Sequence, residues 1–469
     1  MPDAIAGFGK PLLLLVYLLA AAWITGHALL NKREPRSALG WIVLAWMLPL
    51  LGALLYFWLG VNRLERRAQR ELGIAPLREV PPSEPLPDVP GVPVEVRELL
   101  RLGRILTGRP LAPGNSVTPL HGGEQAYPDM LAAIARARKT VWLETYIFDH
   151  GEAAQAFALA LGDAQRRGVH VRVLLDGVGS LTLHGRGIRL LHSQDITTAK
   201  FLPLKLFPPM LHANLRNHHK LLVVDGSIAF TGGMNVSDTH YVERGGMADL
   251  QFRIEGPVVA QLEGVFIDDW RFAAGEKLAP TEPPPASGTV TCRVVTDGPN
   301  DAVDRLQLIL LAAIANAHKR VCIMTPYLIP TPELSGALQA AALRGLSIEI
   351  VLPRKSDQFW VDAATRRWLT QLVGRAVKVH YRADRAHTKL FIMDGYYALV
   401  GSANMDPRSL RLNFELDVEL YHTGVVGELQ RHFDEVRARS VEVTEATLRR
   451  RPLWRRLADA AMWLFSPYL

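Results

Sequence analysis

Two stretches of this chain carry the same reactive side chains at the same spacing. His218, Lys220, Asp225 and Asn235 form the pattern H-x-K-x4-D-x6-G-G-x-N, and His387, Lys389, Asp394 and Asn404 repeat it with Ser402 in place of the second glycine. A match at five fixed positions arises by chance on the order of once in ten million starts. Two in one chain point to a duplicated site. Along a strand, His-x-Lys projects its imidazole and ammonium from one face, and the asparagine follows a glycine turn at the end of the next strand. Two halves meeting face to face would supply two of each group. The lysines and asparagines (Lys220, Lys389, Asn235, Asn404) are donors suited to phosphate oxygens. One imidazole can attack phosphorus while the other protonates the departing alkoxide, because histidine titrates near neutral pH. Such a scheme calls for no metal and no cofactor. Asp225 and Asp394 are counted with the catalytic set on spacing. They also stand directly before Gly226 and Gly395, a common turn pair, and a structural role there is the favoured alternative. His212, His219 and His240 fall outside the pattern and read as structural histidines.

The elements that must hold this site follow from composition and order. A chain of 469 residues exceeds one compact core, so two or more domains are expected. Hydrophobic residues at 49%, charged ones at 21% and a mean hydropathy of +0.08 suit a globular protein with some membrane-embedded length. The formal charge of +7 fits nucleic acid or anionic lipid equally. Two cysteines, Cys292 and Cys322, make no disulfide framework or metal spacing and read as buried thiols.

Residues 11–30 and 38–61 contain no charged side chain, and each is long enough to cross about 30 Å of hydrocarbon. With the polar turn between them they predict a helical membrane hairpin over 1–70, its second span interrupted at Pro49 and Gly52. Five basic residues flank the two outer ends and three lie in the turn, which places both termini and the catalytic portion in the cytoplasm. A proline-rich linker covers 71–95. Alternating helix and strand patterns then predict one α/β domain over 96–278 and, past a second linker at 279–288, another over 289–448. The strands at 140–148 and 169–175 have counterparts at 321–327 and 347–352. A C-terminal amphipathic helix over 449–469, with Trp454, Leu457, Ala461, Leu464 and Phe465 near one face, is expected at a membrane interface.

The paired motifs resemble the hallmark of the phospholipase D superfamily, HxKx4D in two copies. Over nearly its full length the chain is similar to bacterial cardiolipin synthases of the two-motif type. The likeness lies in the hairpin with Arg36-Ser37-Ala38-Leu39-Gly40-Trp41, Asn217-His218-His219-Lys220, Thr325-Pro326-Tyr327-Leu328-Ile329-Pro330, Gly401-Ser402-Ala403-Asn404-Met405-Asp406 and Asn413-Phe414-Glu415. The resemblance implies two tandem α/β/α domains forming a pseudo-twofold pair. It also implies ping-pong transfer through a covalent phosphatidyl-histidine, with His218 as nucleophile and His387 as general acid, then base. Asp249 and Glu415 would each orient the histidine of its own half, although Met247-Ala248-Asp249 lacks the aromatic residue usual in the family. The implied partners are phosphatidylglycerol and anionic membrane lipids, at a bacterial inner membrane that the chain crosses more than once. The reading also allows for a homo-oligomer. Lipid is favoured over nucleic acid by the hairpin, by an apolar, basic-tipped stretch at 199–215 and by the C-terminal helix. The alternatives are a membrane-bound phospholipase D releasing phosphatidic acid and a non-catalytic lipid-binding protein.

Overall fold

The computed structural model describes residues 2–32, 35–60, 89–180, 185–203, 216–299, 303–374 and 377–466. Most of the proline-rich linker and of the 199–215 stretch, with His212, lies outside the described residues. So do the arginines that follow the second apolar segment. The chain divides into two units, one formed by Met1–Arg70 with Lys205–Leu211 and the other by the remainder.

In the first unit a helix runs over Pro2–Asn31, and its Pro11–Asn31 portion is long and apolar enough to cross a membrane. Leu12 to Leu15, Leu19 and Trp23 are exposed along it, as suits side chains meant for lipid. The second apolar segment, over 38–61, is interrupted at Pro49, where the sequence predicts an interruption. It forms a helix over Pro35–Met47, breaks at Pro49, resumes over Leu51–Leu55 and closes in a π-helical turn at Tyr56–Gly60. Proline removes a backbone donor and clashes with the preceding turn, and Leu50 after it takes a left-handed φ of 62°. Ile24, Ala28, Trp41, Ala45 and Tyr56 form this unit's buried core.

The second unit is built on one continuous sheet. Its first half contributes β1 (Ala112–His121), β2 (Thr140–Thr145), β3 (His170–Asp176), β4 (Thr198–Phe201), β5 (Leu221–Val224), β6 (Ile228–Gly232) and β7 (Leu250–Glu255). The second half contributes β8 (Val290–Asp297), β9 (Arg320–Met324), β10 (Ser347–Pro353), β11 (Val377–Arg382), β12 (Leu390–Met393), β13 (Tyr397–Gly401), β14 (Glu415–Tyr421) and β15 (Val441–Glu442). The strand order is β15-β11-β10-β9-β12-β13-β14-β8-β1-β7-β6-β5-β2-β3-β4. Read outward from the β8–β1 seam, both halves follow one sequence of strands, so the duplication is a pseudo-twofold. The two domains expected over 96–278 and 289–448 are therefore halves of one body, joined by antiparallel pairing of β1 with β8.

The strands are legible in their residues. Leu221-Leu222-Val223-Val224 is buried throughout, as a central strand covered on both faces should be. Helices such as Glu152–Arg166 and Pro332–Leu343 bury one stripe each, including Phe157, Leu161, Leu334 and Leu338. Each half has its own buried cluster behind its strands.

Asp225 and Asp394 are part of this framework. The Asp225 carboxylate accepts backbone hydrogen bonds from Arg138, Lys139 and Thr140 at 2.7–2.9 Å. Asp394 does the same for His318, Lys319 and Arg320. Both sit at the far end of the motif strand with left-handed φ of 51° and 53°, where a short polar side chain tolerates the turn. Their place in the catalytic set is thus corrected to a turn role. Asp225→Ala is expected to cost about 2–3 kcal/mol, from orphaned backbone donors and lost turn preference. A lower thermal midpoint with an unchanged KM is the measurement that checks it.

The C-terminal helix spans Leu453–Trp463 and docks on the helix Phe359–Leu372. Asp459 pairs with Arg366 at 2.8 Å and Arg451 at 3.2 Å, and Trp463 packs edge-on to Trp368. Its other side leaves Trp454, Leu457, Leu464 and Phe465 exposed.

Candidate active site

The two motif strands bring their histidines into one site. Each imidazole is held by a carboxylate from the other half of the chain. His218 Nδ1 lies 2.9 Å from Glu415 Oε2, and His387 Nδ1 lies 3.2 Å from Asp249 Oδ2. This crosses the pairing expected from sequence, in which each acid served its own half. The crossing follows from the backbone. Asn217 bridges to Phe414, and Ala248 to Ala386, so each motif strand runs beside the segment that leads into the other half's acid.

The lysines reach back over the same strands. Lys220 Nζ donates to the His218 carbonyl at 2.7 Å, and Lys389 Nζ to that of His387 at 2.6 Å. Lys389 Nζ also lies 2.7 Å from His387 Nδ1. Glu415 is further fixed by the Ser402 hydroxyl at 2.5 Å and the Asn413 amide at 3.0 Å. The first half has no such hydroxyl, and Gly233 explains why. A Cβ there would sit 2.5 Å from both Asp249 oxygens.

Electrostatics keep the imidazoles neutral. Burial pulls the His218 pKa down to about 3, Glu415 opposing and Lys220 assisting. With Nδ1–H directed to Glu415, Nε2 carries a free lone pair. His387 is lowered by burial and then by Lys389, with Asp249 opposing. Burial works against ionised Asp249, but Lys389 and His387 bring it to about 2. Burial likewise works against Glu415, and His218 and Lys220 hold it below its ordinary value. Burial lowers Lys389 to about 8, against the pull of Asp249 and Glu415.

That last value has a kinetic consequence. Above about pH 8 the free protein loses the Lys389 cation, so kcat/KM should fall roughly tenfold per pH unit there. A bound phosphodiester anion favours the charged lysine, so the corresponding limb in kcat should lie at higher pH. Coincident limbs in the two profiles would contradict this assignment.

Asn235 and Asn404 follow the paired small residues at the ends of β6 and β13. Asn235 Oδ1 accepts from the Ile147 backbone at 3.1 Å, which leaves its amide nitrogen as a donor. Asn404 is buried, and its Oδ1 has no hydrogen-bond partner among the described residues.

Sequence reasoning missed several neighbours. His240 is buried, accepts the Asn235 N–H on Nε2 at 3.2 Å and sits 3.8 Å from Asp249. Tyr146 lies 5.5 Å from the His218 ring and Tyr327 6.3 Å from that of His387, both edge-on. Their equivalent places after β2 and β9 in the duplicated halves were the available signal. His219 points away from the site. Its Nδ1 meets Asp269 at 2.9 Å and Glu144 at 3.6 Å, a buried ion triad under the motif strand. Among the described residues this is the grouping with metal-ligand spacing, and direct hydrogen bonding accounts for it.

Residues 130–270 and 310–437 match the family described as "Cardiolipin synthase, PLD-like domain". The chain belongs to this family. Among cardiolipin synthases, it is 32% identical to cardiolipin synthase A of Klebsiella pneumoniae, over 98% of both chains. It is 29% identical to the cardiolipin synthase of Geobacillus kaustophilus, over 94% of this chain and 90% of the other. Phosphatidylserine synthase of Haemophilus influenzae shares the fold at 14% identity with a TM-score of 0.60, covering 79% of this chain and all of that one.

Proposed function

We propose that this protein is a phosphatidyltransferase that condenses two phosphatidylglycerols into cardiolipin and glycerol. The observation that carries the reading is the pair of neutral, buried imidazoles, each backed by a carboxylate and flanked by a lysine. Near-full-length similarity to cardiolipin synthases supports the lipid substrate. His218 Nε2 attacks the phosphorus of the donor, and the bond from phosphorus to the glycerol oxygen breaks. His387, which takes up a proton when the anionic lipid enters, gives it to that oxygen as imidazolium, and glycerol leaves. The acceptor's glycerol hydroxyl then loses its proton to His387 and attacks the same phosphorus, and the P–N bond returns its electron pair to His218. Both lysines face the charge that builds on the phosphoryl oxygens.

The division of roles rests on Nδ1. On His218 it has one partner, Glu415, so its tautomer is fixed and Nε2 is a standing nucleophile. On His387 it lies between Asp249, which wants a donor, and Lys389, which wants an acceptor. Its proton therefore responds to what enters the site, as suits a group that gives and takes one. The apolar Pro11–Asn31 helix and the exposed Trp454, Leu457, Leu464 and Phe465 support a lipid-facing location.

Purified protein with phosphatidylglycerol in detergent tests the reading. Cardiolipin and glycerol in equal amounts are expected. Phosphatidic acid without cardiolipin would make the protein a hydrolase.

A further inference from the structure

The segment that carries His218 and Lys220 has a further cation on the same face. In the extended run 216–220, Arg216, His218 and Lys220 alternate with Asn217 and His219. The contacts agree, because Asn217 and His219 both turn to the Glu144 and Asp269 side. Arg216 is only 2% exposed, yet neither Nη1 nor Nη2 has a hydrogen-bond partner among the described residues. The nearest carboxylate atom, Asp176 Oδ1, stands 3.9 Å away. It already accepts from the backbones of Val178 and Gly179, while Oδ2 accepts from Asn217. A buried guanidinium with both ends of its fork unused is costly. Five donors in a planar fork match a phosphate.

Cardiolipin synthesis gives that fork a ligand, an assignment that rests on the transferase function proposed for the site. The acceptor phosphatidylglycerol brings its own phosphodiester, separated from the attacking hydroxyl by three carbons. In the product the two phosphorus atoms are joined by six bonds, which span about 7 Å when extended. Arg216 lies two residues before His218 in the run that leads into β5, about 6.6 Å along an extended backbone. That backbone spacing matches the separation of the two phosphates of cardiolipin, so one lipid product can place its phosphorus atoms beside both residues. Arg385 holds the equivalent position before His387. It is exposed, so the buried subsite is built on one side only.

We propose that Arg216 forms a second anion subsite, which binds the phosphodiester of the acceptor lipid while the donor is held at His218. The subsite makes the site prefer a phosphate-bearing alcohol to a neutral one or to water.

The test uses the full chain in detergent with a short-chain phosphatidyl-p-nitrophenol as donor, so that nitrophenol release reports the first step alone. Glycerol and glycerophosphoglycerol, the deacylated headgroup of the acceptor, then compete as soluble acceptors. Wild type should favour glycerophosphoglycerol by about 30-fold or more in kcat/KM. R216Q should lower that preference to about 3-fold or less while nitrophenol release falls far less, and R216K should restore part of it. A wild type with no preference overturns the subsite, and that arm needs no variant to fold. Equal loss toward both acceptors in R216Q, or loss of nitrophenol release in step with it, also overturns it. A wild type that releases nitrophenol but never forms cardiolipin from phosphatidylglycerol would instead refute the transferase reading.

Discussion

His218→Ala should reduce phosphatidyl transfer by about 10⁴-fold or more, roughly 5.5 kcal/mol of transition-state stabilisation. The covalent route has no substitute for its Nε2. His387→Ala should lose comparable turnover on natural lipid, but for a different reason. With p-nitrophenol as leaving group no proton donor is needed in the first step. The His387→Ala variant should then release about one equivalent of nitrophenol in a burst and stall, because the second step lacks its base. The His218→Ala variant should show no burst. A burst from His218→Ala with none from His387→Ala would exchange the two roles. Both variants should keep wild-type melting, since each removes a buried neutral ring whose loss leaves Glu415 or Asp249 beside a lysine.

The second large effect concerns stability. His219→Ala is expected to cost about 3–5 kcal/mol, because it strands Glu144 and Asp269 as buried carboxylates without their cation. Burial alone would lower the His219 pKa, but Asp269 and Glu144 raise it to about 10. A raised folded pKa means that its contribution is complete below the ordinary histidine value near 6.5 and is lost as pH rises through about 10. Burial and then Asp269 raise Glu144 to about 7, so the triad is fully charged only between about 7 and 10, and denaturant or thermal melting near pH 8 reads the full difference for the charged triad. An unchanged midpoint there would show that the triad does not stabilise the fold.

The motifs were legible because chemistry ties residue types to fixed local spacing. His-x-Lys and the glycine turn before Asn235 or Asn404 lie within one strand pair, and local periodicity reports them. Nothing local tells Glu415 that its partner is 197 positions away, because strand pairing across the seam decides it. The seam strand β1 was equally hidden. Ala112–His121 contains Pro113, Gly114 and Pro119, residues that argue against a central strand, and pairing on both sides overrides them. The interruption of the second apolar segment was legible, because Pro49 removes a backbone donor wherever it stands in a helix. His219 and His240 carry no spacing signal at all. Their roles come from carboxylates that only tertiary packing supplies.

The crossed carboxylates bear on how the halves could diverge. In a symmetric pair of separate identical subunits, both imidazoles would face the same acid and the same glycine or serine. Joined in one polypeptide, the halves carry different solutions, Glu415 with Ser402 on one side and Asp249 over Gly233 on the other. Division of labour between nucleophile and proton carrier is thus open to inheritance, residue by residue. Neither copy can drift alone, since every change in one half's acid is felt by the other half's histidine. Chains 1–288 and 289–469, produced apart, would each carry an imidazole lacking its carboxylate, and catalysis would return only on their reassociation.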